Sequence, residues 1–192
     1  MTQRQIKSFF SDERPPFFRW IKYEAISKEL ALAVVASEDQ NFPAHYGFDF
    51  EQINKALEER KERGRLRGAS TITQQVSKNL FLWEGKSFIR KGFEAYYTLL
   101  IELIWSKKRI LEMYLNIAEM GDNIFGAGEA SKVYFKKVPR ELTQRESVSI
   151  AAVLPNPKRY SVLNPSRYIS RRQNWILNQM RLLGGINYLD EL

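Results

Sequence analysis

Apolar residues recur at helical spacing in segment after segment of this 192-residue chain, and capping residues mark the ends of these segments. Ser27 precedes the first segment, which carries the apolar run ALAVVA. Asp49 opens a second segment that ends at Gly64, and Thr143 with Glu146 opens a late one. Because no series of strand-like segments interrupts them, the sequence predicts a mostly α fold, with loops at residues 40–48, 64–70, 120–128 and 155–164.

The longest predicted helix covers residues 88–105. Its large apolar residues recur every three or four positions, so they share one face, which we expect to point into the core. These residues are Ile89, Phe93, Tyr96, Leu100 and Leu103. A second predicted helix, residues 107–119, carries a similar stripe that includes Tyr114. The two helices are therefore expected to contribute to one helical core.

The chain is basic, with 30 Lys and Arg residues, 22 Asp and Glu residues and a net charge of +8. This balance predicts an anionic partner, which could be nucleic acid, a membrane surface or a phosphorylated substrate. The absence of cysteine excludes disulfides and thiolate metal sites, and the single histidine, His45, makes a transition-metal site unexpected. The longest apolar stretch, AYYTLLIELIW, is interrupted by Glu102, so the sequence predicts no membrane-spanning helix.

An acidic pair, Glu38 and Asp39, ends the first predicted helix. The helix macrodipole disfavours negative charge at that end, and burial of the preceding apolar run would raise a carboxyl pKa. A carboxylate in such a setting suits a general acid or base. The alternative is an ordinary solvated helix end.

The segment GASTITQQVSKN, residues 68–79, predicts a short helix capped by Ser70 or Thr71. Thr71, Gln75 and Lys78 share one face, with Gln74 beside them, while the apolar residues point the other way. A surface of hydrogen-bonding groups ending in one lysine suits a ligand-facing wall. The alternative is a polar helix surface without function.

A third cluster combines Lys86 with the string RKGFE, in which Arg90 and Lys91 lie within one helical turn of Glu94. The cations suit a diphosphate, whereas the alternative is a salt bridge within the helix. Two carboxylates in different settings, together with these cations, indicate glycosyl transfer from a phosphorylated donor.

These segments resemble the motifs of the peptidoglycan glycosyltransferases, the glycan-polymerising domains found in class A penicillin-binding proteins. EDQNFPAHYGFD resembles the first motif, GASTITQQVSKN the second and RKGFE the third; KKRILEMYLNIAEMG resembles the fourth and RESVSIAAVLPNPKRYSVLNP the fifth. The motifs occur in family order over residues 30–165. The chain looks like a monofunctional member. The resemblance implies a lysozyme-like fold with two lobes, the smaller of which dips into the membrane.

The resemblance also implies roles for individual residues. Glu38 would be the general base that activates the acceptor hydroxyl of lipid II, with undecaprenyl diphosphate leaving from the donor by inversion. Glu94 would be the second carboxylate, which orients substrate or assists departure of the diphosphate. Seven residues would contact sugar or diphosphate, namely Lys78, Lys86, Arg90, Lys91, Ser70, Gln74 and Gln75.

Five residues would support the site, namely Asp39, Phe42, His45, Glu112 and Asn116. Asp39 would orient its neighbours or help to hold a divalent ion. For Glu112 and Asn116 two interpretations stay open, either hydrogen bonding to the loop of the first motif or a place in the cleft wall. Members of the family use Mg²⁺ or Mn²⁺, but the sequence does not identify the ligands of such an ion.

The resemblance also predicts organisation and location. Residues 1–25 would form a membrane-proximal segment and residues 26–192 a single glycosyltransferase domain. We expect the native protein to carry one N-terminal anchor helix in the inner membrane, with the catalytic domain on the periplasmic side. Its expected partners are lipid II, the lipid-linked nascent glycan, the membrane surface and other cell-wall synthesis proteins.

Three alternatives can be weighed on the sequence. A lysozyme-like hydrolase could use paired glutamates, but it does not need a basic diphosphate pocket. A nucleic-acid-binding module fits the net charge but lacks a recognised motif, so no nucleic acid is expected as a partner. A non-catalytic cell-wall scaffold is disfavoured because both motif glutamates, Glu38 and Glu94, are present.

Overall fold

The computed structural model describes residues 20–64, 68, 70–83, 85 and 87–192, and confirms the mostly α fold. The α-helices are α1 (Lys28–Glu38), α2 (Phe50–Arg63), α3 (Ile72–Phe81), α4 (Phe88–Ile104), α5 (Lys107–Ile117), α6 (Gly126–Phe135), α7 (Gln144–Val153) and α8 (Arg167–Leu182). Short 3₁₀ helices cover Tyr23–Ala25, Pro139–Glu141 and Gly185–Glu191.

Helix α1 is the centre of the core. Its residues from Leu30 to Ala36 are all buried, because the run is apolar on every side of the helix. Helices α7 and α8 and the last 3₁₀ helix pack around it. Ser27 occupies the N-cap position as predicted, but its hydroxyl donates to the Leu142 carbonyl oxygen instead of capping the helix.

Local capping signals were predicted correctly at three helix starts. The Asp49 side chain accepts from the Gln52 backbone N–H, and α2 ends at Gly64 in the left-handed conformation. Thr143 and Glu146 form a complete capping box at α7. Thr71, one of the two candidate caps of α3, forms the other capping box. These bonds span at most three or four residues, which is why the sequence alone identifies them.

A small hairpin and helix α6 replace most of the predicted loop at residues 120–128. Strand β1 (Glu119–Gly121) pairs antiparallel with β2 (Ile124–Phe125). Asn123 lies in the turn between them with φ of 56°. The sequence did not indicate these elements, because strands of two or three residues are too short to show a period and the first turns of α6, GAGEAS, contain no large apolar residue.

The orientation predicted for α4 is wrong. Ile89, Tyr96 and Leu103 are exposed, whereas Glu94 and Thr98 are buried. The buried polar groups have partners. The Glu94 carboxylate is paired with Lys91 and Arg90, and its backbone carbonyl oxygen accepts from the hydroxyls of Ser77 of α3 and Thr98 of α4. The exposed side of this helix forms a continuous apolar face, consisting of Phe88, Ile89, Phe93, Tyr96, Leu99, Leu103 and Ile104.

Residues 20 and 21 pack against α5. The Asn116 side chain accepts from the Ile21 backbone N–H at 2.8 Å and donates to the Ile21 carbonyl oxygen at 2.9 Å. The Trp20 indole donates to Glu112 at 2.9 Å. In the described part of the chain, the side chains of Glu112 and Asn116 therefore bind residues 20 and 21, and not the loop of the first motif.

Residues 1–19 lie outside the described part of the chain, and so does most of the predicted membrane-proximal segment 1–25. Within the described residues, none of the helices combines the length and apolar character that crossing a bilayer requires.

Candidate active site

Glu38 is the last residue of α1 and lies at the floor of an open cleft of about 910 Å³. Helix α3 forms one wall and α8 the other, while the end of α7 closes one side. A cleft of this volume is in the range of small-molecule and cofactor sites. Its lining residues are Ser37, Glu38, Gly68, Ser70, Gln75, Lys78, Leu154, Pro155, Tyr168, Arg171, Arg172 and Trp175.

Three side chains hold the Glu38 carboxylate in place. Arg172 of α8 approaches Oε1 at 3.2 Å, and the Gln75 amide of α3 donates to Oε2 at 3.2 Å. The Ser37 hydroxyl donates to Oε1 at 3.4 Å. The carboxylate side chain is only 13% exposed, so it is largely removed from bulk water while still lining the cleft.

The surroundings of Glu38 raise its pKa. Burial is the largest cause of the rise; the positive charge of Arg172 and the hydrogen bonds from Gln75 and Ser37 oppose it, and the nearby charge of Asp39 adds to it. The net pKa lies above the ordinary value of 4.5, as the sequence predicted. A carboxylate with a raised pKa is a stronger base once it is ionised, which suits proton abstraction.

Asp39 connects the first two motifs. Its Oδ2 accepts from the backbone N–H of Ile72 in the first turn of α3, and its Oδ1 lies 2.9 Å from His45 Nε2. The Phe42 ring is fully buried, and the Lys107 ammonium lies 4.6 Å from its centroid. Asp39 thus fixes the start of α3 beside the end of α1, which brings Gln75 to Glu38.

A divalent ion does not fit the acidic groups beside the cleft well. Ligand atoms of Asp39, His45 and Asp49 lie within 4.8 Å of one another. However, both Asp39 oxygens are engaged as described, and the Asp49 oxygens accept from Gln52 and Asn41 at 2.9 Å. These oxygens therefore serve as hydrogen-bond acceptors within the fold and fit a cation site poorly. The Mg²⁺ or Mn²⁺ expected from the resemblance stays a prediction.

The second motif divides its polar residues between the cleft and the fold. Ser70, Gln75 and Lys78 line the cleft. Gln74 does not, because it is buried and its side-chain oxygen accepts from the Thr71 backbone N–H in the capping box. Gln74 was predicted to contact the ligand, but in the structure its side chain caps the start of α3.

The third motif forms a separate cluster at the start of α4. Lys91 Nζ donates to Glu94 Oε1, and Arg90 Nη1 lies 3.8 Å from Glu94 Oε2. Glu94 is 5% exposed and is not among the lining residues of the cleft. Its backbone is fixed to α3 by Ser77, the neighbour of Lys78. Lys86 lies outside the described residues.

Known proteins match this chain along most of its length. The profile of the family described as Transglycosylase matches residues 3–181. The chain belongs to the transglycosylase family. A biosynthetic peptidoglycan transglycosylase of Cronobacter sakazakii is 50% identical over 195 residues, covering 98% of this chain and 79% of that protein. The lysozyme-like helical fold expected from the sequence is thereby confirmed.

Two further relatives carry the same name. The protein of Pseudomonas syringae pv. tomato is 49% identical, with 100% of this chain and 82% of that protein covered. The protein of Xanthomonas campestris pv. campestris strain B100 is 53% identical, with 89% of this chain and 70% of that protein covered.

The α8 wall of this transglycosylase was not predicted from the sequence. Arg171, Arg172 and Trp175 all line the cleft, and the Arg172 guanidinium lies 5.7 Å from the Trp175 ring centroid. The only signal in the sequence is the basic pair in SRRQNW. One such pair among 30 cationic residues does not reveal that Arg172 contacts Glu38, which lies 134 positions earlier in the chain.

We predict that Glu38→Gln stabilises the folded transglycosylase at neutral pH relative to the wild type. Because the folded-state pKa of Glu38 is raised, its ionised form costs stability above that pKa, and this cost is absent below the unfolded-state pKa. The stability advantage of the variant should therefore shrink as the pH falls through the folded-state pKa. Urea unfolding at a series of pH values measures it.

The matched control is Glu29→Gln, which changes the other glutamate of α1, a half-buried residue at the opposite end of the helix whose Oε2 accepts from the Gln144 amide at 3.2 Å. This control removes one carboxylate from α1 without changing the contacts of Glu38 with Arg172 and Gln75. An advantage of Glu38→Gln that stays constant or grows as the pH falls would contradict the raised pKa.

Proposed function

We propose that this chain is a peptidoglycan glycosyltransferase that polymerises lipid II into glycan strands, with Glu38 as the general base. The observation that carries the proposal is a largely buried carboxylate of raised pKa, held by Arg172 and Gln75 at the floor of a cleft. The relatives named biosynthetic peptidoglycan transglycosylase support the activity and the substrate class.

In the proposed reaction, Glu38 removes the proton from the 4-hydroxyl of the acceptor GlcNAc. The resulting oxygen attacks C1 of the donor MurNAc, the bond from C1 to the diphosphate oxygen breaks, and the diphosphate-lipid leaves with the electron pair. Attack opposite the leaving group inverts C1 from α to β. Proton transfer by a positioned carboxylate contributes about 10²–10⁴-fold to such a rate.

Cations on the α3 and α4 side would stabilise the leaving diphosphate. Lys78 lines the cleft, and Arg90 and Lys91 lie one helix away. Each could neutralise phosphate charge that develops as the bond breaks. Glu94 is buried between Arg90 and Lys91, which supports a role in orienting these cations more than a role in proton transfer.

A glycan hydrolase is the second candidate, because a glutamate of raised pKa also suits a general acid. A hydrolase of the usual kind needs a second carboxylate about 5–9.5 Å away across the substrate. Among the described residues that line the cleft, Glu38 is the only acid, and Asp39 and Asp49 line a small pocket that adjoins it. Asp39 is engaged by His45 and Ile72, so the lining favours transfer.

We also propose that the apolar face of α4 contacts the periplasmic surface of the membrane from which the lipid-linked substrate is drawn. Phe88 is 98% exposed and Leu103 is 81% exposed, at opposite ends of the helix. A row of such residues along one helix is larger than the scattered apolar exposure of ordinary surfaces. Immersing it in lipid would remove that surface from water.

We predict that Glu38→Gln lowers the rate of glycan polymerisation by at least about 10²-fold, because glutamine cannot accept the hydroxyl proton. The measurement is the length distribution of glycan made from labelled lipid II in detergent, with Glu29→Gln as the matched control. Long strands from Glu38→Gln would remove Glu38 from the role of base. Cleavage of lipid-free glycan by the wild type would favour the hydrolase.

We predict that Phe88→Ser combined with Leu103→Ser weakens binding to phosphatidylcholine vesicles by at least about tenfold, because two apolar side chains no longer enter the lipid. Phosphatidylcholine has no net charge, so the net charge of +8 on the protein does not drive binding to these vesicles. Leu182→Ser, which changes a leucine 68% exposed at the end of α8, should leave vesicle binding unchanged. Equal losses for both variants in sedimentation assays would contradict a membrane-facing α4.

A further inference from the structure

A buried tyrosine completes a chain of hydrogen bonds that ends at Glu38. The Tyr114 hydroxyl of α5 donates to Gln75 Oε1 at 3.1 Å, and Gln75 Nε2 donates to Glu38 Oε2 at 3.2 Å. Tyr114 is 2% exposed and is absent from the cleft lining. We propose that Tyr114 is a positioning residue, which acts on Glu38 through the Gln75 amide; its catalytic meaning rests on the proposed role of Glu38.

The two ends of the Gln75 amide differ in hydrogen bonding. One end donates and the other only accepts, so the amide can stabilise the ionised Glu38 only with its nitrogen toward the carboxylate. The described part of the chain gives the Tyr114 hydroxyl no acceptor other than Gln75 Oε1. Turning the amide around would leave the buried phenol proton unpaired and place Oε1 against the Glu38 oxygens.

Tyr114 is suited to this task because it remains a donor over the whole working range of pH. Burial raises the pKa of its hydroxyl well above the ordinary value of 10.0; the charges of Glu38 and Asp39 add to the rise and that of Arg172 opposes it. The hydroxyl is therefore protonated whenever Glu38 titrates. It orients the amide without exchanging a proton with it.

The other charges around Glu38 are independent of this tyrosine. Arg172 contacts the carboxylate from α8, Arg171 and Lys78 line the same cleft, and Asp39 follows Glu38 in the chain. None of them is removed by replacing the Tyr114 hydroxyl with hydrogen. A change in the titration of Glu38 in such a variant therefore reports the lost orientation of Gln75.

The test is the Tyr114→Phe variant of the full chain, labelled with ¹³C at glutamate carboxyls. An NMR titration follows Glu38, whose resonance is the one missing from Glu38→Gln. We expect the pKa of Glu38 to rise by about 0.5–1 unit, the size of one lost hydrogen bond, and the acidic limb of kcat/KM to move equally. The matched control is Tyr134→Phe, which removes a hydroxyl bonded to the Met120 carbonyl oxygen outside the cleft.

A second variant shows whether the effect passes through the amide. Gln75→Met cannot donate, so it should raise the pKa of Glu38 at least as much as Tyr114→Phe. Adding Tyr114→Phe to it should cause no further shift. This variant also tests the proposal if Tyr114→Phe fails to fold, because an unchanged Glu38 pKa in Gln75→Met would overturn it.

Two outcomes contradict the proposal. In the first, Tyr114→Phe leaves the pKa of Glu38 unchanged; in the second, Tyr114→Phe shifts that pKa equally in the wild type and in Gln75→Met. Failure of the proposed function looks different: the wild type would then make no glycan from lipid II, or Glu38→Gln would make it as fast as the wild type does. In that case the NMR titration still decides whether Tyr114 orients the amide, because it measures the carboxylate and not the reaction.

Discussion

The burial of α1 is the constraint on which the rest of the structure depends. Its residues from Leu30 to Ala36 are enclosed by α7, α8 and the last 3₁₀ helix, so the helix can become polar only where the core ends. Glu38 stands at that point and reaches the cleft while remaining 13% exposed. The next residue, Asp39, uses its carboxylate to hold α3 beside it. One packed helix therefore sets both the position and the electrostatics of the candidate base.

Helix starts that depend on bonds between neighbouring residues were predictable from the sequence. The orientation of a helix, which depends on the elements packed against it, was not. The capping boxes at Thr71 and Thr143 lie within four residues, so the motif contains the whole interaction. For α4, the apolar period identified correctly which residues share a face. The period did not predict that Glu94 is buried against α3 while Leu103 is exposed. An amphipathic pattern shows that a helix has two faces, but not which element each face contacts.

The same division holds within the site. Glu38, Gln75 and Lys78 were predicted from the motifs and meet in one cleft. Arg172 and Tyr114 were not assigned to the site, because their contacts with Glu38 and Gln75 join distant parts of the chain. The arginine limits the rise in the Glu38 pKa that burial causes, and the tyrosine orients the amide. The pKa of Glu38 thus depends on tertiary contacts, whereas a short stretch of sequence is enough to identify Glu38 as the candidate base.

Glu38 is proposed to act as a base whose pKa is raised by burial. The pH dependence of kcat/KM for polymerisation of lipid II by the wild type tests this role, because it reports ionisations of the free enzyme. If burial raises the pKa of the base, the acidic limb has its midpoint above 4.5, the ordinary value for a glutamate. A midpoint at or below 4.5 would contradict it.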